Sequence, residues 1–185
     1  CDRRQRQMCI RDRIGEDGIQ MYLGCELHSS MDMTDCLKKG ERLTMSGSRY
    51  VLTEFRTSDE KSYIRERVQA LIRKGYYPII AHVERYHSVV KSGLDFIDEL
   101  RDMGAYIQMN ADSIIGEDGF MIKRFCKKVI KEEMLDFVGS DGHDLAKRTP
   151  HIGKCYDKIE KMMGTDYADM IFISNPECII NNERF

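Results

Sequence analysis

Pro78-Ile79-Ile80-Ala81-His82-Val83-Glu84-Arg85 and Asp136-Phe137-Val138-Gly139-Ser140-Asp141-Gly142-His143 decide the fold. Each is an apolar run that stops on side chains able to ligate a metal or hold a phosphate. A strand buried on both faces of a parallel sheet reads as a continuous hydrophobic run, and parallel α/β folds place their chemistry at the carboxyl ends of such strands. His82, Asp141 and His143 are hard-to-borderline metal donors, and Arg85 and Arg148 are candidate anion clamps. Asp and His also end strands simply as turn residues, so one such ending does not discriminate. Two of them point to a metal site.

Outward from these runs, strand and helix signals alternate from residue 18 onward. Strands are expected over Gln20–Leu27, Arg49–Phe55, Tyr77–Val83, Ala105–Met109 and Met134–Gly139. Leu27 to Lys39 is a mixed connection with a short helix over Met31–Leu37. A helix over Lys61–Lys74 carries Ile64, Val68, Leu71 and Ile72 on one face and stops at Gly75. Further helices are expected over Tyr86–Met103, ended by Gly104, over Glu117–Glu132 and over Pro150–Met163. Ala168–Ser174 reads as a helix end followed by a strand, and Asn175-Pro176 as the start of a terminal helical turn. Strand–helix units recurring every 25 to 30 residues imply an α/β fold with a parallel sheet and right-handed crossovers. About six units are too few for a closed eight-stranded barrel. An open sheet, a seven-stranded barrel and a barrel lacking its start all remain open on this pattern.

Composition narrows the function classes. The 185 residues fit one domain, and a formal net charge of −2 gives no electrostatic reason for a nucleic-acid partner. No run of about 18 apolar residues and no signal-peptide pattern is present, so a cytoplasmic protein is expected. The seven cysteines, at 1, 9, 25, 36, 126, 155 and 178, show neither a C-x-x-C pair nor zinc-finger spacing and read as reduced thiols. Residues 1–13 hold five Arg and two Asp with almost no apolar periodicity, and Met8-Cys9-Ile10-Arg11-Asp12-Arg13 looks like a translated sequencing adapter. The expected division is therefore a non-native tract over 1–13 and one domain over 14–185. A native basic arm is the alternative.

The polar strand ends converge. Glu26 ends the expected first strand, Glu54 the second, His82 the third, Asn110 the fourth, and Asp141 with His143 the fifth. Five strands that each deliver a carboxylate, imidazole or amide to one rim give the geometry a multinuclear metal site needs. Singly, a strand-terminal Glu or Asn is more often a turn or cap residue. Arg85 and Arg148 lie on loops above that rim, where guanidinium groups match phosphate oxygens. Their bland readings are a salt bridge from Arg85 to Glu84 and a solvated loop charge at Arg148. A cysteine-dependent alternative rests on Cys36–Arg42, a C-x5-R match, but its intervening residues are bulky and charged where a phosphate cradle needs small ones. His87 and His151 read as surface or capping residues. Tyr22, Tyr76, Tyr77 and Tyr106 read as core, and the twelve methionines as packing.

Ala-His-x-Glu-Arg, then Ser-Asp-x-His-(x4)-Arg, with a Glu-ended strand at Leu52–Phe55 and an earlier Gly-x-Glu, resembles the PHP (polymerase and histidinol phosphatase) superfamily. Within it, the chain is similar to the manganese-dependent protein-tyrosine phosphatases of capsule and exopolysaccharide loci in Gram-positive bacteria. The resemblance runs from about Gly24 to Asn181. It implies a distorted (βα)7 barrel, with Glu26, Glu54, His82, Asp141 and His143 as metal ligands and Arg85 and Arg148 as the catalytic, phosphate-binding arginines. It further implies two or three Mn2+ ions, with Fe or Zn as substitutes, and hydrolysis by hydroxide activated on the metal. The implied partner is the phosphotyrosine tail of a tyrosine autokinase. One departure stands out: the family's opening His-x-His strand has no match here, so a barrel lacking about its first quarter is expected. Histidinol phosphate or another small phosphoester is the alternative substrate, and an inactive binding module the alternative to an enzyme.

Overall fold

The computed structural model describes residues 20–143 and 150–185; the 1–13 tract and Arg148 lie outside them. Five parallel strands form one sheet in the order β1-β2-β3-β4-β5: β1 Glu26–His28, β2 Tyr50–Glu54, β3 Tyr77–Ile80, β4 Tyr106–Asn110 and β5 Phe137–Gly139. A doubly wound sheet reverses its strand order at a switch point. Here spatial order follows chain order throughout.

Alternation along each strand separates two faces. Val51 and Thr53 of β2 and Ile107 and Met109 of β4 are buried on one face, where the β3–β5 half packs against the helices. The other face grades along the strands: Tyr50, Leu52 and Glu54 follow one another at i, i+2, i+4, as do Tyr106, Gln108 and Asn110. At the amino ends, Tyr50, Tyr77, Tyr106 and Phe137 meet ring to ring, with Tyr50 5.1 Å from Tyr77 and 5.3 Å from Tyr106. The Tyr50 and Phe137 rings are only 6.4 Å apart. Their strands are three positions apart, roughly 14 Å in a flat sheet. The sheet therefore curls strongly around this face, with an aromatic plug at one end and its polar residues at the other.

The helices are α1 Met33–Lys38, α2 Lys61–Arg73, α3 His87–Ser92, α4 Leu94–Asp102, α5 Ala111–Ile115, α6 Phe120–Lys131, α7 Ile152–Met163, α8 Thr165–Asp169 and α9 Asn175–Asn181. α2 buries Ile64, Val68 and Leu71, the face its spacing predicts. Pro78 precedes the β3–β4 pairing, which begins at Ile79↔Tyr106, so its missing N–H removes no bond on that side.

Several expectations are corrected. The expected helix over Tyr86–Met103 is two helices, because Gly93 takes φ 70° and ψ −143° and breaks the ladder between them. The expected strand toward Ser174 is absent: Met170–Ser174 is a π-helical turn continuous with α9. Its β-branched run suggested a strand, but only Ile171 is buried. The first strand is three residues long and Glu26 begins it, so His28 is the residue at its end. The described residues hold five strands where about six βα units were expected. Tyr22 is half exposed rather than core. Asn175 acts as a clamp, its amide donating to the Asp136 carbonyl at 2.8 Å and tying α9 to the start of β5.

Candidate metal centre

At the carboxyl rim, Glu26 of β1, Glu54 of β2 and His82 after β3 place their donor atoms within 4.8 Å of one another. His82 Nε2 lies 2.9 Å from Glu26 Oε1 and 3.6 Å from Glu54 Oε1. His28, two residues along β1 and on the same face as Glu26, brings Nδ1 to 3.8 Å from Glu54 Oε2. From this strand the sequence points only to Glu26; the i, i+2 alternation of a strand was the signal that could have added His28.

His82 is held from several sides. Its backbone is left-handed (φ 33°, ψ 54°), a strained state for a non-glycine residue that neighbouring bonds must hold. Its N–H donates to Gln108 Oε1 at 2.7 Å, and its carbonyl accepts the Arg85 N–H at 3.0 Å. The Tyr86 hydroxyl donates to the Ala81 carbonyl at 2.7 Å, accepts the Phe55 N–H at 3.1 Å and stands 3.3 Å from His82 Nδ1. Burial disfavours the imidazolium, but the hydrogen bond and charge of Glu26 outweigh it and raise the His82 pKa above the ordinary 6.5. A proton on His82 between the two carboxylates would stand where a divalent cation would satisfy the same donors.

Gln108 also donates to Asn110 Oδ1 at 3.2 Å, which sets the Asn110 amide for the next contact. Gly139 leaves room for this network, since a Cβ there would stand 2.1 Å from Gln108 Nε2. Asn110 Nδ2 donates to Asp141 Oδ2 at 3.2 Å, and Arg85 Nη1 donates to the same oxygen at 2.7 Å. The suggested Arg85–Glu84 pair does not form. The turn Val83–Arg85 directs Glu84 inward, where Oε1 accepts the Asn110 N–H at 3.1 Å and the Ser113 hydroxyl at 2.7 Å. Burial raises the Glu84 pKa, and these two bonds only partly offset it.

Glu84→Ala is expected to lower unfolding free energy by roughly 2–4 kcal/mol, because it strands buried partners and leaves a cavity. Urea denaturation checks this, and a change under about 0.5 kcal/mol would count against the role.

The expected ligands thus fall into two groups. Glu26, Glu54 and His82 converge. Asp141, left-handed at φ 46°, is engaged with Arg85 and Asn110, and exposed His143 has Nδ1 2.7 Å from the Asp141 carbonyl oxygen and 3.5 Å from its Oδ1. Neither is in the three-donor cluster. Arg148 lies outside the described residues. His151 stands at the N-cap position of α7, in line with its capping reading, and pairs with Asp112 at 2.8 Å; it is not part of the cluster.

A cleft of about 270 Å³ borders Glu26 and His28 and also holds Cys36 and Arg42. The Cys36 thiol is the wrong kind of nucleophile. Desolvation first, then Glu41 and Asp32, push its pKa up, whereas a catalytic cysteine needs its thiolate stabilised.

The sequence and the fold that carry this rim are similar to those of known proteins. The family model described as capsular polysaccharide synthesis, CpsB/CapC, matches residues 3–181. The chain belongs to the CpsB/CapC family. Among relatives, tyrosine-protein phosphatase CpsB of Streptococcus pneumoniae is 30% identical over 179 residues, covering 94% of this chain and 73% of that protein. Tyrosine-protein phosphatase YwqE of Bacillus subtilis is 26% identical over 176 residues, covering 94% and 68%. A solved structure from work on B. subtilis YwqE and S. pneumoniae CpsB, described as unique metal-dependent tyrosine phosphatases, superposes with a TM-score of 0.86. That match has 25% identity and covers 98% of this chain and 72% of the other. Within the family fold, the Glu26–Glu54–His82 cluster is a donor set chemically suited to a divalent metal.

Proposed function

We propose that this chain is a metal-dependent phosphatase that removes phosphate from tyrosine side chains of a protein, namely the phosphotyrosine tail of a tyrosine autokinase in capsule or exopolysaccharide synthesis. The carrying observation is the convergence of Glu26, Glu54 and His82 on one point of a rim that also bears Arg85, in a family whose relatives are named tyrosine-protein phosphatases. The curled, sequentially ordered sheet is read as an arc of a distorted seven-stranded barrel, and the site of action as the cytoplasm.

Mn2+ is the proposed metal, as two or three ions held by Glu26, Glu54 and His82 with Asp141 and His143 recruited. The three clustered donors fit a divalent ion: two carboxylates and an imidazole meet with only a proton to balance them. Asp141 would offer the ion its Oδ1 while Oδ2 stays with Arg85, and His143 would leave Asp141 for the ion. When bound, the metal polarises the phosphoryl group and lowers the pKa of water toward neutrality. Arg85 holds two phosphate oxygens through its guanidinium fork and offsets charge that grows on them, and Arg148 is its proposed partner. Asp141, hydrogen-bonded to Arg85, aims that fork. Tyr86 and Gln108 fix the imidazole so that Nε2 faces Glu26.

Turnover of a phosphotyrosine peptide is expected to fall to background in a chelator, to return on adding Mn2+, and to survive iodoacetamide. Chelator-resistant, alkylation-sensitive turnover would overturn the reading. Assayed in parallel, faster hydrolysis of histidinol phosphate would replace the substrate.

A further inference from the structure

We propose that the outward face of α6 (Phe120–Lys131) docks this protein on an anionic phospholipid bilayer. The helix reads Phe-Met-Ile-Lys-Arg-Phe-Cys-Lys-Lys-Val-Ile-Lys, and it buries Phe125, Cys126, Val129 and Ile130. At about 100° per residue, Lys123, Arg124, Lys127, Lys128 and Lys131 fall on the remaining arc together with Phe120 and Met121. All five cations are exposed, and none pairs with a carboxylate among the described residues. The helix contains no acid; Glu117 and Asp118 precede it, and Glu132 and Glu133 follow it. In a chain of net charge −2, this face has the opposite sign to the whole.

Charge alone would describe a solvated helix. The second observation is apolar: Phe120 is 75% exposed and the adjacent Met121 is 70% exposed. Large apolar side chains beside a cationic helical face match the headgroup–acyl boundary of a bilayer, which takes both. Beside α6, a cleft of about 380 Å³ continues the pattern, with Lys123, Lys127, Lys158 and Lys161 around Ile114 and Ile130. Lys158 donates to the Ile114 and Ile115 carbonyls at 2.6 and 3.1 Å, and its pKa is lowered by burial and by the charge of Lys123. An anionic headgroup relieves that crowding. A soluble polyanion would use the cations without needing Phe120 and Met121, so the bilayer is favoured.

The placement has a consequence. The Ser113 hydroxyl oxygen lies 2.7 Å from Glu84 Oε1 and 2.6 Å from Asp118 Oδ2, and Glu84 is two residues from His82. The start of α6, two residues after Asp118, is therefore tied through Ser113 and Glu84 to the segment that carries His82.

The test is flotation of the full chain with phosphatidylcholine vesicles, with and without about 30% phosphatidylglycerol. Binding is expected only to the anionic vesicles, with a loss of at least about tenfold on raising salt to about 0.5 M. Lys127→Gln with Lys128→Gln should weaken binding about tenfold or more. Phe120→Ser with Met121→Ser should weaken it while leaving retention on a heparin column unchanged. These residues are exposed, and unchanged thermal melts confirm that the variants fold. No binding, equal binding to neutral vesicles, or no effect of the Phe120/Met121 pair overturns the proposal.

Discussion

His82→Ala should weaken metal affinity by more than about a hundredfold and reduce phosphatase turnover about a thousandfold or more. The imidazole is the buried member of the cluster, 2.9 Å from Glu26 and 3.6 Å from Glu54, so its loss leaves two carboxylates with no third donor between them. Calorimetric Mn2+ titration reads the affinity directly, apart from activity. Tyr86→Phe supplies the scale, because its hydroxyl stands 3.3 Å from His82 Nδ1 and steers the ring without facing the ion. Losing such an orienting partner costs roughly 10–100-fold in affinity. Alanine at 82 that binds Mn2+ within about threefold of wild type would remove His82 from the site.

The same residue fixes the pH dependence. Its pKa is raised above the ordinary 6.5, so a proton competes with metal over an extended range, and affinity should fall by about tenfold per pH unit below the raised value. The sign reverses for the metal-free fold. The Glu26–His82 contact contributes stability that is fully present below about pH 6.5 and is lost as pH rises through the raised pKa.

Much of this site was legible because buried parallel strands are nearly continuous apolar runs. Pro78–Ala81 and Phe137–Gly139 stop where their chemistry starts, so Glu54, His82 and Asp141 could be assigned to strand ends from spacing alone. β1 was less legible. Three residues carry too little periodicity to fix the ends, and so Glu26 was expected to close a strand that it begins. The partner of Arg85 was not legible either. Consecutive residues on a 3-10 turn point about 120° apart, which sends Glu84 into the core and leaves Arg85 to meet Asp141, 56 residues away. Gln108 reads as an interruption in a buried strand, yet it links the His82 backbone to Asn110. A polar residue inside an apolar strand is costly unless bonded, and that cost is the clue to its role.

Asp141→Asn should lower turnover by roughly a thousandfold while the protein stays folded. Asparagine is the cleaner substitution because position 141 has φ 46°, a left-handed state that Asn tolerates and Ala does not. The amide keeps the shape, and its oxygen can still accept from both Arg85 and Asn110, but it loses the charge that pairs with Arg85 at 2.7 Å. Two roles separate by measurement. If Asp141 only aims Arg85, Mn2+ affinity is retained, KM for the phosphopeptide rises, and Arg85→Ala reproduces the loss without adding to it. If Asp141 is also recruited as a ligand, Mn2+ affinity and kcat fall together and the double variant is worse than Arg85→Ala. The proposed five-ligand site requires the second result. An Asp141→Asn protein with wild-type turnover would exclude both roles and confine the metal centre to Glu26, Glu54 and His82.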